Sequence, residues 1–201
     1  SASKAIKFNS SNNGLETGDL GGSLVLISEQ TASSSSTISF TSGIDSTYKE
    51  YIFKFIDIHP ATDNTDLTFN GSTDSGSNYN VTKTTTMFRA IHNEADNDTE
   101  LGYDTGGDLA QSTNFQSLIR SIGTDNDQCG VGTLHLFDPS NTTFVKHFIQ
   151  ISNSYGSASN DYSRNQFFAG YLNTTSAIDA VQFKMASGNI DSGTIKMYGV
   201  T

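Results

Sequence analysis

The chain has 201 residues, a formal net charge of −10 and a pI near 4.6, with 34 % hydrophobic residues, no Trp and about a quarter Ser plus Thr. That length suits one all-β domain. The acidic balance argues against a phosphate-tracking surface, and no run reaches the ~20 apolar residues of a membrane span, so neither nucleic-acid binding nor membrane insertion is expected. So polar a chain would suggest disorder, but 13 Phe and 8 Tyr fall largely in alternating runs that can fill a thin two-sheet core.

Residues 1–22 read as a polar extended arm with a few apolar positions, Ile6, Phe8, Leu15 and Leu20. No long apolar core follows Lys4, so no signal peptide is expected here. Strand patterns begin at Leu24-Val25-Leu26-Ile27 and continue with Thr37–Phe40 and Tyr51–Ile58, closed by Pro60. Next come Asp66–Gly71, a Gly/Ser/Asn-rich loop over 72–80, and Met87–His92. An acidic loop is expected over 93–114. Further strands are expected at 115–122, 131–137, 144–151, 166–172, 180–185 and 194–200, with a polar loop over 154–165. Many short strands and no apolar helical face predict an all-β antiparallel sandwich, jelly-roll-like, over residues 23–201.

Two strands are apolar on both sides. With strict alternation Tyr51, Phe53 and Phe55 oppose Ile52, Ile56 and Ile58, and Phe144 and Phe148 oppose Val145, Ile149 and Ile151. A sandwich needs one dry face per sheet, so a second dry face implies a loop cover or a subunit interface. The interface candidates are therefore Tyr51, Phe53, Phe55, Phe144 and Phe148, together with Ile6 and Phe8 of the arm. No heptads suggest a coiled-coil shaft, so any trimer must be built from the β-domain or the arm.

Candidates for chemistry are sparse. Asp96, Asp98 and Glu100 place oxygen ligands at alternate positions, as calcium loops do, but Leu101 and Gly107 stand where a turn glycine and a bidentate carboxylate belong. The loop is either solvated or holds a Ca2+ ion; no other cofactor is called for. The four histidines lack metal spacing. No two carboxylates can be singled out as a glycosidase pair, and no residues can be named in mutual geometry for a reaction, so the chain reads as non-enzymatic. Cys129 is the single cysteine, which rules out a disulfide within these residues and fits folding in a reducing cytoplasm. Tyr79, Tyr103, Tyr155 and Tyr162 lie in expected polar loops, where rings either pack back on the sandwich or stack on sugars.

Several segments resemble, in order, a β-domain of tailed-bacteriophage virion proteins, notably those of marine phages and cyanophages. They are Gly22–Ser28, Gln30–Tyr48, Tyr51–Asn64, Leu134–Ser140, Tyr171–Thr175, Ala177–Met185, and Ser187–Ile190 through Gly193–Gly199. The resemblance implies a non-enzymatic structural protein made in the host cytoplasm and carried on the virion. A capsid decoration or head-fibre protein is favoured. A tail fibre or receptor-binding domain recognising host surface glycans is the alternative. The implied partners are other capsid or tail proteins and further copies of the chain, with a trimer favoured.

Overall fold

The computed structural model describes residues 4–9, 11, 13–19, 23–156 and 161–201. Within them the chain forms β-strands without helices. The strands are β1 (Lys4–Phe8), β2 (Leu15–Asp19), β3 (Leu24–Ser35), β4 (Ile38–Phe40), β5 (Glu50–Pro60), β6 (Thr65–Ser72) and β7 (Lys83–Asn93). They continue with β8 (Thr99–Tyr103), β9 (Gln116–Ile122), β10 (Gly130–Phe137), β11 (Lys146–Gly156), β12 (Tyr162–Leu172), β13 (Ala180–Met185) and β14 (Ile190–Val200).

All pairings are antiparallel, and the main sheet is nearly closed into a barrel along the path β3-β14-β5-β10-β11-β9-β6-β13-β4. β9 touches β11 in register only at Gly156↔Ile122, so the path divides there into two facing layers. Taking β3, β4, β5, β6, β9, β10, β13 and β14 as strands one to eight, one layer runs 1-8-3-6 and the other 2-7-4-5. This is the jelly-roll order, as the sequence predicts. Two insertions, β7–β8 and β11–β12, extend the first layer beyond β10 in the order β11-β12-β7-β8.

Aromatic residues on alternating positions meet between the layers. Phe183 packs against Phe40, Phe53 and Phe55, and Phe69 meets Phe148 edge-on at 5.0 Å between centroids. Strict alternation would turn Ile58 outward. Instead Asp57 adopts a left-handed φ of 52° opposite Gly193 at φ 120°, and the register shifts there. A Cβ on Gly193 would lie 2.7 Å from the Asp57 carbonyl oxygen. The bulge returns Ile58 to the core at 0 % exposure and leaves Ile56 at 38 %.

The underside of the extension is polar and seats the edge of β9. Ser152 Oγ donates to the Leu118 carbonyl at 2.7 Å, and Ser154 Oγ to that of Arg120 at 2.9 Å. The Arg120 N–H donates to Gln166 Oε1 at 3.0 Å. Side chains thus occupy backbone groups that a sheet edge would otherwise leave open. Beside them, Asp104 Oδ2 accepts from both Arg120 (2.9 Å) and Arg89 (3.0 Å), while Asp66 accepts from Arg120 Nε at 3.2 Å.

Candidate interaction surfaces

The acidic loop contains a strand the sequence does not announce, β8, and a tight turn. Asn93 Oδ1 accepts the N–H groups of Asn97 (3.1 Å) and Asp98 (3.0 Å), closing the β7–β8 hairpin. The turn directs its carboxylates to separate partners. Asp96 meets His92 Nε2 at 3.0 Å, Asp98 accepts from Tyr162 Oη at 2.6 Å, and Glu100 pairs with Arg89 at 3.1 Å. Among the described residues no group of three or more His, Cys, Asp or Glu side chains is placed to hold a metal ion.

The four loop tyrosines also separate. Tyr155 and Tyr162 line a common cavity of about 330 Å3 with His92, Glu94 and Asp161, at the end of the extension. Burial, then the Asp161 and Glu94 carboxylates, push the Tyr155 phenol up to about 12. Tyr103 is 55 % exposed at the sheet margin and donates to Asp108 at 2.6 Å. Tyr79 turns inward; its Oη is buried and lies against Gly76. Both Tyr155 and Tyr162 lie on strands that run on through the expected 154–165 loop, of which residues 157–160 fall outside the described residues.

Four interface candidates are core residues. Tyr51, Phe53, Phe55 and Phe148 are at most 2 % exposed, so they are not available to another molecule as the sequence reading required. Tyr51 is fixed further by its Oη, which donates to the Asp45 carbonyl at 3.0 Å. Phe144 does lie at the surface, 68 % exposed, but in the turn before β11 and not on the strand. Asn141 Oδ1 holds that turn by accepting the Phe144 N–H at 2.8 Å.

The arm contains the β1–β2 hairpin; residues 1–3, 10, 12 and 20–22 lie outside the described residues. Register places Phe8 opposite Leu15, with Ile6 on the same side. All three are open to solvent, at 68 %, 67 % and 72 % exposure.

The larger surface is the outward side of β10-β11-β12-β7-β8. Phe148 and Leu134 face the core, so parity turns Ile149, Ile151, Thr133 and His135 outward. One row crosses the strands as Tyr103–Phe88–Phe167–Ile151–Thr133, and the next as Thr86–Ala169–Ile149–His135. Phe88 and Phe167 stack at 4.6 Å with 7° between their rings. Phe88, Ile149 and Ile151 remain nearly half exposed, and Leu101 at the margin is 78 % exposed. A groove of about 640 Å3 between Phe137, His147, Ile149 and Tyr171 continues the same face. On these five strands no outward position carries Asp, Glu, Lys or Arg. Period-two reading finds apolar residues on both sides of β11, but the buried Gln150, Ser152 and Ser154 obscure which side faces the core.

No family model, curated protein or solved structure matches the chain.

Proposed function

We propose that the chain is a non-enzymatic structural component of a tailed-phage particle, a capsid decoration or head-fibre protein, anchored to a neighbouring virion protein by its N-terminal hairpin. The observation that carries this reading is the exposed Ile6–Phe8–Leu15 face of the hairpin. Three large apolar side chains on one side of a two-stranded ribbon are unfavourable in water, because an isolated hairpin is marginally stable. Burial against a partner removes that cost. The jelly-roll body supplies a compact module, and the ordered sequence resemblance to virion β-domains supplies the context.

The test is incorporation into particles. Deleting 1–22, or placing Asp at both Ile6 and Phe8, should remove the protein from purified virions while leaving the isolated body folded. Full incorporation of the deleted protein would overturn the anchoring role, and immunogold labelling of intact particles would separate head from tail.

The cavity beside Tyr155 and Tyr162 favours a second reading, a receptor-binding domain for host surface glycans. Stacking rings beside Asn153, Asn93 and carboxylate acceptors are chemistry that suits a sugar. Glycan-array binding that disappears on Tyr155→Ala and Tyr162→Ala would support it.

A further inference from the structure

We infer that the outward face of β10-β11-β12-β7-β8 is a self-association surface, and that two copies pack this face against the same face across a two-fold axis. The inference does not rest on the particle reading, because it concerns a different surface from the hairpin.

Charge is the first argument. The molecule carries a net charge of −10, yet no outward position on these five strands is Asp, Glu, Lys or Arg; carboxylates reach the face only at its margins, where Glu50 meets His135, Asp96 meets His92 and Asp108 meets Tyr103. A charged partner would lose hydration on docking here and find no counter-charge, at a cost of several kcal/mol per buried ion. The occupant must therefore be neutral over the same extent. The molecule offers one such surface itself. Its other broad surfaces are charged: Lys54, Lys196 and Glu29 stand outward on β5, β14 and β3, and Asp66 and Lys184 stand on the smaller layer away from the core. Among this molecule's own broad surfaces, neutral meets neutral when the face meets its own copy, which is the isologous arrangement.

Size is the second argument. Five strands ~4.8 Å apart, averaging roughly nine residues at ~3.3 Å each, outline about 24 by 30 Å, or roughly 700 Å2 per copy. A stable interface buries ~800 Å2 per partner. The chemistry argues for protein over sugar. Ile149, Ile151, Val131 and Leu101 are aliphatic and offer no hydrogen bonds, whereas stacked Phe88 and Phe167 supply the aromatic centre typical of a protein interface. The resemblance favours a trimer; a face that matches itself gives pairs.

Sedimentation equilibrium on the purified chain, from about 1 to 100 µM, reads the mass directly. The expected wild-type species has twice the 21.6 kDa of one chain. Ile151→Lys and, separately, Thr86→Lys should each raise the dissociation constant about tenfold or more, since each buries a charge at the contact. Both positions are solvent-facing in the single chain, and circular dichroism melting confirms that the variants fold. Asn126→Lys, in an exposed loop off this face, should leave the mass unchanged, and so should deletion of 1–22. A wild type that stays monomeric throughout, a wild-type trimer, or Ile151→Lys pairing as tightly as wild type would each overturn the inference.

Discussion

The larger layer has two halves built to different rules. In the jelly-roll half, β3-β14-β5-β10, the side toward the smaller layer is apolar, and outward positions on β3, β5 and β14 carry charges such as Glu29, Lys54 and Lys196. In the extension, β11-β12-β7-β8, much of the inner side is hydrogen-bonded through Ser152, Ser154 and Gln166, and the outer side carries Phe88, Phe167, Ile149 and Ile151 among neutral residues. The same strand geometry therefore serves opposite ends. One half gains stability by burying rings; the other is seated by polar contacts and leaves its rings free.

The sharpest way to break that comparison is to truncate one ring in each half. Phe183→Ala, at the meeting point of Phe40, Phe53, Phe55 and Phe69, should cost about 3–5 kcal/mol in chemical denaturation. Phe88→Ala should cost the monomer less than about 1 kcal/mol, because its ring is 45 % exposed. Equal losses would mean that the extension shares the core's role. Next in size, Asp104→Asn should destabilise by roughly 2–3 kcal/mol, since it leaves Arg89 and Arg120 facing one another. Burial pushes the Asp104 carboxyl up, but the Gly106 N–H and the two guanidinium groups outweigh it and hold it below its ordinary value. Its stabilisation is accordingly complete above the unfolded pKa of 3.8 and is lost as pH falls through the folded value. An acid-unfolding midpoint that the Asn variant leaves unchanged would contradict this.

A smaller loss, about 1–2 kcal/mol, is expected for Ser152→Ala, which strands the Leu118 carbonyl at the β9 edge. Hydrogen exchange should then quicken in β9 and β11 before it does in β5 and β14. An effect of another kind is a slope. Burial holds the Lys83 ammonium down to about 8, against 10.5 when unfolded. Between those values the unfolded chain binds a proton that the folded chain lacks, so stability should rise with pH. Melting temperatures measured across that window should rise less steeply in Lys83→Met.

Sequence pattern reaches the jelly-roll half well, because there apolar alternation and burial coincide. Phe53, Phe55, Phe69 and Phe183 sit where period two puts them. It fails at Ile58, because a one-residue bulge at Asp57 reverses parity and no residue type announces that unambiguously. It also fails in the extension for a physical reason. On β11 the hydrophobic residues Ile149 and Ile151 face out while Gln150 and Ser152 face in, so hydrophobicity points the wrong way and only the position of Phe148 fixes the side. β8 is hidden among Asp96, Asp98 and Asp104, whose charges read as a loop. Four of the interface residues named from sequence, Tyr51, Phe53, Phe55 and Phe148, consequently fell on the core side of their strands, with exposed Ile56 and Ile149 one position from Phe55 and Phe148.

Those same acids have a further consequence. The extension ends on β8, a strand of five residues that contains Glu100 and is flanked by Asp96, Asp98 and Asp104. A sheet margin this short and this negative repels another copy approaching strand to strand. Lateral polymerisation from that edge is therefore discouraged, although the neighbouring face leaves its rings exposed.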